Sequence, residues 1–435
     1  MGDILVGYIR PTLQTPGYSA VFRDRNLAVI LILGFASGLP LSLTGQTLQA
    51  WVTVEGVDLA TIGLLTLVGI PYTWKFLWAP LIDRYVPPLL GRRRGWLAIT
   101  QLALAAGIAA MAFCSPRKEI GFLAMLAVFV AFASASQDIV FDAYRTDIAK
   151  KEQRGLAAAL TVVGYRIAML TSGALALLLV AGTDFLPKLS WQGTYLAMAG
   201  VMALCVLATL WGREPESAAR PPSTLEEAIL SPLREFFSRP GAWAILLLIV
   251  LYKLGDAFAG ALTTAFLLRG AGFGLDDVAY VNKVMGLAAT IFGALVGGAL
   301  MVRLGLYRSL MAFGILQAVS NLSFMVLALA GKSYPLMIVA VGFENFSGGM
   351  GTAAFVALLM ALCDHRFTAT QYALLSALAS FGRVYVGPAA GYATDPRYLG
   401  LDWATFFFVT FVVALPGLAL LFWKRGAIEA LDRSP

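Results

Sequence analysis

Long apolar stretches run through this chain, and twelve of them reach the length that crosses a lipid bilayer as a helix. About 20 apolar residues span the hydrocarbon layer in helical form. The chain is 59% hydrophobic and 13% charged, whereas a soluble protein carries about 25% charged residues. The sequence therefore predicts an all-α integral membrane protein. The predicted spans are 27–50, 60–82, 96–114, 120–143, 156–181, 192–211, 242–268, 278–301, 309–330, 335–363, 370–393 and 403–423.

A polar segment rich in Pro, Ser and charged residues divides the spans into two sets of six. We expect an N-terminal six-helix bundle over residues 1–211, a cytoplasmic linker over 212–240 and a C-terminal six-helix bundle over 241–435. Lys and Arg concentrate in the amino terminus, the loops after even-numbered spans and the carboxyl tail. Because cytoplasmic loops carry the excess of positive charge, both termini are predicted to be cytoplasmic.

The loops after spans two and eight repeat a short basic pattern. The first reads APLIDR at 79–84 followed by GRRR at 91–94, and the second reads GALMVRLGLYR at 298–308. Both resemble the cytoplasmic loop motif of the major facilitator superfamily, whose fold places twelve helices in two six-helix bundles. That resemblance implies a gate on the cytoplasmic side. The residues assigned to this gate are Asp83, Arg84, Arg92, Arg145 and Arg303.

Seven segments distributed over both halves carry a narrower pattern. They are LILGFASGLPLSLTGQTLQAW (31–51), KFLWAPLIDRY (75–85), GRRRGW (91–96), SASQDIVFDAYRTD (134–147), LIVLYKLGDAFA (248–259), FENFSGGMGTAAFVALLM (343–360) and GRVYVGP (382–388). These segments resemble the AmpG muropeptide permease family. The resemblance implies a permease of the bacterial inner membrane that imports anhydro-muropeptides for peptidoglycan recycling and is driven by protons. The implied cargo is GlcNAc-anhydroMurNAc with or without its peptide.

Nine ionisable residues lie at membrane depth, where inserting one charge costs about 2.5–3.5 kcal/mol. Such groups face water or pair with one another, so we expect them to line a cavity between the bundles. Five bases and four acids leave that cavity near +1, and one bound proton raises it to near +2. A proton and an anionic cargo would then strengthen each other's binding, as linkage requires. The nine residues are Lys75, Asp138, Asp142, Arg166, Lys253, Asp256, Lys283, Glu344 and Arg383.

Asp138 is the first candidate for the proton site because it lies deeper in span four than Asp142. Burial disfavours the charged form of a carboxyl group, which is what proton carriage requires. The alternative is an ion pair between Asp138 and Arg166 that only fixes helix packing. Glu344 is the second candidate. Gln137, beside Asp138, either hydrogen-bonds the cargo or satisfies a neighbouring backbone group.

Asp142 lies near the cytoplasmic interface, one turn before Arg145. Because of this position and the neighbouring arginine, we expect Asp142 to join Asp83 and Arg84 in the cytoplasmic gate. Because it also shares a helix face with the candidate proton site four residues earlier, Asp142 is the third candidate for proton coupling.

Lys253 and Asp256 in span seven are three residues apart on one helix face and can satisfy each other. They form either a self-neutralised pair or a bridge that opens when a cargo carboxylate binds the lysine. Lys283 and Arg383 are candidate carboxylate anchors, and the guanidinium is the better fork for a bidentate contact. Either base can instead bind lipid phosphate.

Sugar binding calls for aromatic faces with amide or hydroxyl groups around them. Aromatic residues in membrane spans more often belong to the helix core or to the interface belt, so each assignment stands beside that structural alternative. The candidates for contacts to sugar or peptide are Tyr72, Trp74, Gln46, Gln49, Tyr165 and Asn345.

Several functional classes fit the sequence poorly. It has no GxSxG, no HExxH and no complete Walker loop, which argues against an enzyme. Three isolated cysteines and one histidine offer no metal-ligand spacing, so we expect no cofactor other than the coupling proton. The bases are dispersed between spans, which argues against nucleic acid as a partner. We expect a monomer surrounded by membrane lipid. Two alternatives remain: a carrier of another anionic solute, such as acetyl-coenzyme A, and a receptor that does not transport its ligand.

Overall fold

The computed structural model describes residues 24–148, 154–215, 237–238, 241–362 and 368–431. Every regular element in these ranges is helical, which confirms the all-α prediction. Most of the predicted linker lies outside the described residues, and so does the single histidine, His365.

Twelve helices follow the predicted spans, and ten of them are long and apolar enough to cross a membrane. The other two are α10, whose 28 residues include Glu344 and Asn345, and α11, which is interrupted at Val386. A short helix, α13, follows the last span. The helices are α1 Arg25–Val54, α2 Leu59–Leu77, α3 Arg92–Ala112, α4 Ile120–Ile148, α5 Ala159–Ala181, α6 Trp191–Trp211, α7 Ala242–Gly270, α8 Leu275–Leu304, α9 Leu306–Ala330, α10 Tyr334–Ala361, α11 Thr368–Tyr385 continued by Gly387–Thr394, α12 Trp403–Trp423 and α13 Arg425–Leu431.

Side-chain caps fix where several helices begin. In each case a carboxylate or hydroxyl oxygen accepts a hydrogen bond from a backbone N–H of the first turn, which satisfies a donor that the helix itself leaves unpaired. Asp and Ser before an apolar run are therefore reliable start signals in this chain. The capping residues are Asp24 for α1, Asp58 for α2, Ser190 for α6 and Asp402 for α12.

The helices pack in two groups, one in each half of the chain. In the N-terminal half, α1 packs along α4 and α5, and α3 packs along α4 and α6. In the C-terminal half, α10 packs along α8 and α9, while α12 packs along α7 and α9. An even number of crossings places the start of α1 and the end of α12 on one face, which we call the terminal face. The opposite side is the distal face.

Several helices lose regular α geometry close to the charged residues. A break at Gly45 divides α1, and a second break places Lys253 between two segments of α7. Segments Leu170–Leu175 of α5 and Val278–Met285 of α8 adopt the π form, with one extra residue in the turn. Such bulges occur frequently at functional sites because they redirect side chains. The periodicity of the sequence does not predict these breaks and π segments.

The apolar core shows how the halves meet. One large cluster of buried residues contains members from both halves, such as Leu43 and Phe266. Two smaller clusters each belong to one half: one contains Leu33 and Phe141, and the other contains Ile249 and Phe355. The shared cluster occupies the distal side, whereas the separate clusters lie toward the terminal face. The halves are therefore joined at the distal face and part toward the terminal face.

Polar contacts agree with this arrangement. Every hydrogen bond or ion pair between two described residues of opposite halves lies between the level of Trp74 and the distal face. Helices α2 and α11 cross there with their backbones in contact. The approach is so close that a Cβ on Gly63 would overlap the carbonyl oxygen of Gly387. In the part of the chain that the structure describes, the space between the halves is thus closed at the distal face and has no polar contact between the halves toward the terminal face.

Candidate functional site

Asp138 lies on the wall that the N-terminal half presents to this space. Its carboxylate accepts a hydrogen bond from the Ser37 hydroxyl of α1, with 2.6 Å between the two oxygens. Lys75 on α2 and Asp142, one turn further along α4, lie within electrostatic range. The alternative of an ion pair with Arg166 is wrong in this conformation, since Arg166 contacts the Met169 sulfur at 3.7 Å and none of the described acids. Ser37 already satisfies one oxygen of Asp138, and Lys75 is the base that faces it.

Two tyrosines and an arginine lie near Asp138 on the same wall. Tyr72 and Tyr165 both lie within electrostatic range of Asp138, and Arg383 of α11 reaches both. Arg383 is exposed although it lies in a spanning helix. The C-terminal half thus places a base within electrostatic range of the N-terminal wall, and the shared cavity stays a prediction.

Gln137 corrects an expectation. It is wholly buried inside the N-terminal half, and neither polar atom of its amide has a hydrogen-bond partner among the described residues. In this conformation it does not line the space between the halves, because the 100° step per residue turns it away from its neighbour Asp138. The alternative in which Gln137 satisfies a neighbouring backbone group is therefore not seen among the described residues, and its contact with the cargo stays a prediction.

The C-terminal wall carries a second charged cluster. Lys253 and Asp256 form the i,i+3 ion pair that their spacing predicts, with 3.8 Å between nitrogen and oxygen. The same ammonium donates to the Thr352 hydroxyl of α10 at 3.2 Å and lies 5.9 Å from the centre of the Phe355 ring. Glu344 of α10 is within electrostatic range of both members of the pair.

Asn345 serves the packing of this wall. Its amide nitrogen donates to the Glu344 carboxylate at 2.6 Å and to the Val341 carbonyl at 2.9 Å, and its amide oxygen accepts from Thr290 of α8 at 3.1 Å. These bonds occupy the amide, so Asn345 orients the carboxylate beside it. The prediction that it contacts the cargo is not supported in this conformation.

The floor of the space consists of contacts that join the halves. Lys283 of α8, only 9% exposed, donates to the Gln46 side-chain oxygen of α1 at 2.7 Å. Gln49 donates to the Ala261 carbonyl of α7 at 2.5 Å, and the Trp74 indole donates to the Tyr385 hydroxyl of α11 at 2.7 Å. Three residues predicted to contact sugar are therefore occupied in holding the halves together.

Residues predicted to form the terminal-side gate do not converge here. Asp142 pairs with Arg145 on its own helix at 3.2 Å and is 58% exposed. Arg84 and Arg303 are exposed and form no ion pair with a described acid. Arg92 is half-buried at the start of α3, and the Asp83 side chain lies outside the described residues. The predicted contact between Asp142 and Arg84 is wrong in this conformation, because Arg145 satisfies Asp142 one turn away.

A polar junction at the start of α3 has no signal in the sequence. Glu214, after α6, accepts hydrogen bonds from the backbone N–H groups of Arg93 and Arg94 at 2.8 and 2.9 Å. Arg93 forms an ion pair with Asp147 of α4 at 3.0 Å. This junction ties three helices of the N-terminal half into one unit at the terminal face.

A second unpredicted junction closes the distal face. Arg397, after α11, donates to Asp58 at the start of α2, with 2.5 Å between the atoms. It also donates twice to Asp395 at 3.0 Å, and Asp395 accepts from the backbone N–H of Ala60 at 3.2 Å. These hydrogen bonds from Arg397 hold the pKa of Asp395 well below the usual carboxyl range. We call Asp58, Asp395 and Arg397 the distal latch.

Arg269 reinforces the distal latch from the end of α7. Its guanidinium donates to the carbonyls of Thr53 at 2.7 Å and of Val57 at 2.5 Å, where α1 ends. Unpaired carbonyls at a helix C-terminus carry partial negative charge, so a cation is well placed there. The contact joins the two halves without a carboxylate.

Comparison with known proteins accords with this architecture. The sequence profile described as Major Facilitator Superfamily matches residues 30–385. The anhydromuropeptide permease of Escherichia coli (strain K12) is 55% identical over 95% of this chain and 82% of its own length. A protein named putative transporter AmpG 4 from Rickettsia conorii is 32% identical over 94% of this chain and 99% of its own.

Solved structures share the fold. A bacterial homologue of the human lysosomal transporter Spinster, in an inward-facing and unoccupied conformation, superposes with a TM-score of 0.71 at 18% identity, over 94% of this chain and 98% of that one. A D-xylose–proton symporter gives a TM-score of 0.70 at 10% identity, over 91% and 96% of the two chains. The profile and the close relatives point to a transporter and not to an enzyme. The chain belongs to the Major Facilitator Superfamily, in the family that includes the anhydromuropeptide permease of Escherichia coli.

Proposed function

We propose that this protein imports anhydro-muropeptides, GlcNAc-anhydroMurNAc with or without peptide, from the periplasm to the cytoplasm in symport with protons. The observation that carries the proposal is that bases of the C-terminal half lie close to the N-terminal half: Arg383 is within electrostatic range of Tyr72, and Lys283 donates to Gln46. Asp138 lies in one half with Lys75 in electrostatic range, and Glu344 lies in the other with Lys253 and Lys283 in range. The relative that is 55% identical is named for this cargo.

The charges of the space suit an anionic cargo. Muramyl and peptide carboxylates are negative at neutral pH, and fixed bases bind them best where water is partly excluded. The acids in the same space reduce that attraction until one of them takes up a proton. Proton and cargo therefore raise each other's affinity, which is thermodynamic coupling. The bases are Lys75, Arg166, Lys253, Lys283 and Arg383, and the acids are Asp138, Asp142, Asp256 and Glu344.

We assign the principal proton site to Asp138 and a second site to Glu344. Asp138 has one hydrogen-bond donor, Ser37, and one nearby base, Lys75. It is partly exposed, and we expect its proton to leave toward the terminal face. Asp142 is a weaker candidate because Arg145 neutralises it.

Transport would proceed by alternating access between the halves. With the distal latch closed, cargo in the space communicates with the terminal face. The distribution of Lys and Arg over the loops assigns the terminal face to the cytoplasm, so this conformation is the one that releases imported cargo. Entry from the periplasm then requires the distal latch to open. We expect the protein to act as a monomer in the inner membrane, with both termini cytoplasmic and with no cofactor.

Uptake of labelled anhydro-muropeptide into proteoliposomes, with and without an imposed pH gradient, tests this function. We expect accumulation only with the external side acidic, and loss of accumulation in Asp138→Asn. Asp184→Asn is the matched control, because Asp184 is an exposed loop residue and its neutralisation should change nothing. Accumulation that ignores the gradient, or normal uptake by Asp138→Asn, would contradict the proposal. Binding without uptake would indicate a receptor, and competition by acetyl-coenzyme A would indicate a different anionic cargo.

A further inference from the structure

One hydrogen bond on the floor of the space links a charged side chain to the opposite half. The Lys283 ammonium of α8 donates to the Gln46 amide oxygen of α1 at 2.7 Å. Lys283 is only 9% exposed, and a buried ammonium is costly unless it has a partner. When α1 and α8 separate, this bond must break and the ammonium needs another partner.

The local backbone confines the lysine to the seam between the halves. The π segments Leu170–Leu175 and Val278–Met285 pack against each other, and Thr47 of α1 donates to the Ser172 carbonyl of the first segment at 2.6 Å. A Cβ on Gly173 would lie 4.0 Å from the Lys283 Cδ. The lysine stem is therefore held by α5 and α8, while its ammonium reaches α1.

Glu344 is the anion available on the lysine's own half. It lies within electrostatic range of Lys283, on a helix that packs along α8. In this conformation the two do not form an ion pair, and the hydrogen bond to the Glu344 carboxylate comes from Asn345 at 2.6 Å. The lysine thus has one partner in each half and uses the one across the seam.

Few other charges act on Glu344. Lys253 and Asp256 of α7 lie within its range, and they largely neutralise each other. Helix α9 carries one charged residue, Arg308, close to the terminal face, and α1 carries none between its first residue and its last. On α11, Arg383 acts on tyrosines of the other half.

We propose that Lys283 is a gating residue that exchanges between Gln46 and Glu344, so that the charge on Glu344 sets whether the distal face is closed. The proposal rests on the proton symport proposed above, in which Glu344 is a protonation site. Ionised Glu344 offers the lysine an anion after the seam has opened, which favours the distal-open state. Neutral Glu344 offers none, so the lysine is best satisfied by Gln46 with the seam closed. A proton taken up from the distal side would close the distal face behind it.

The distance between spin labels on the two halves measures how far the seam between them is open, and the measurement needs no cargo. Labels at Val54 and Leu399, which are 49% and 74% exposed, read the distal face after alanine replaces the native cysteines. We expect Glu344→Gln to raise the closed-to-open ratio about tenfold, because a hydrogen bond involving a charged group is at stake. Gln46→Leu should lower the ratio by a similar factor.

The combination of these variants separates exchange from mere loosening. If Gln46 and Glu344 share one lysine, Glu344→Gln should have almost no effect in a Gln46→Leu background, which is strong non-additivity. Gln49→Leu is the matched control. It removes another hydrogen bond across the seam, and its effect should simply add to that of Glu344→Gln.

An unchanged distance distribution in Glu344→Gln, or additive effects of Gln46→Leu and Glu344→Gln, would overturn the proposal. Because no cargo is present, these outcomes do not depend on what the protein transports. A protein that fails to take up muropeptide but shows the exchange would refute the assigned cargo and leave the gating role in place.

Discussion

Ser37 on α1 donates a 2.6 Å hydrogen bond to Asp138 on α4, and it is the only described side chain that does so. An O–H group that donates to a carboxylate makes one of the stronger hydrogen bonds in proteins. The serine therefore fixes the orientation of the carboxylate to which we assign proton coupling, at a point where the two helices cross.

Replacing Ser37 tests that role. In Ser37→Ala the carboxylate loses its donor, and we expect proton-driven uptake to fall about tenfold, the scale of one hydrogen bond to a charged group. Ser37→Thr retains the hydroxyl and should keep most of the activity. Initial uptake rates at equal amounts of protein in the membrane measure both. Equal rates for all three proteins would remove Ser37 from the mechanism.

The distal latch should control opening of the distal face. Arg397→Gln breaks the ion pair with Asp58 and the two hydrogen bonds to Asp395, so the distal-open state should become more populated. Arg425→Gln provides the control, since Arg425 pairs with Glu429 within a single helix. The distance between spin labels at Val54 and Leu399, both exposed at the distal face, reports the opening. Similar distance distributions in both variants would show that the latch does not hold the face closed.

The distal latch should be insensitive to pH in the physiological range. Arg397 holds the pKa of Asp395 below the usual value of about 4. A lowered carboxyl pKa means that the stabilisation is fully present above the usual value and is lost only as the pH falls toward the lowered one. Between about pH 5 and pH 8 the latch should therefore contribute equally. Distal opening that still varies with pH in Arg397→Gln would place the sensor among the acids of the cavity, whereas loss of the variation in that variant would place it in the latch.

Close packing of α2 and α11 should be necessary for closure. A methyl group on Gly63 would overlap the Gly387 carbonyl oxygen and lie 2.9 Å from the Gly391 Cα. Overpacking of this kind costs about 1–3 kcal/mol, so Gly63→Ala should reduce the closed-to-open ratio about tenfold. Gly200→Ala on α6 meets open space and should leave both distance distribution and uptake unchanged. An unaltered distribution in Gly63→Ala would contradict the packing account.

Cargo affinity should distinguish the two interpretations of Lys253 and Asp256. If the pair opens to admit a cargo carboxylate, Asp256→Asn frees the lysine and should tighten binding about threefold, the scale of a partly exposed pair. Lys253→Met should weaken binding, and the double variant should resemble Lys253→Met. Equal weakening by either single change would identify the pair as structural. Equilibrium binding of labelled cargo to purified protein is the measurement.

Much of the fold follows from the sequence because hydrocarbon imposes one rule on every span. Each helix must satisfy its own backbone, so twelve long apolar runs already specify twelve helices. The breaks at Gly45 and Lys253 and the π segments in α5 and α8 were not predictable. They depend on contacts with other helices, such as that between Thr47 and Ser172.

The types of residue in the candidate site were easier to predict from the sequence than the contacts that these residues form with one another. Ionisable residues at membrane depth identified both walls, and the i,i+3 spacing of Lys253 and Asp256 predicted their contact. Partners on other helices were missed, since neither the Ser37–Asp138 bond nor the Arg397–Asp58 bond has any signature in sequence spacing. The sequence also could not reveal that Gln46 would serve the seam between the halves. Nothing in the sequence around Gln46 indicates that its side-chain amide accepts a hydrogen bond from Lys283.

The most direct test of coupling in this cavity is the dissociation constant of anhydro-muropeptide for purified protein, measured from about pH 5 to about pH 8 in the wild type and in Asp138→Asn. We expect wild-type binding to weaken steadily as the pH rises, because ionisation of a cavity acid opposes an anionic cargo. Asp138→Asn should lose most of this dependence and keep only the part that Glu344 contributes. The same pH dependence in both proteins would contradict this expectation.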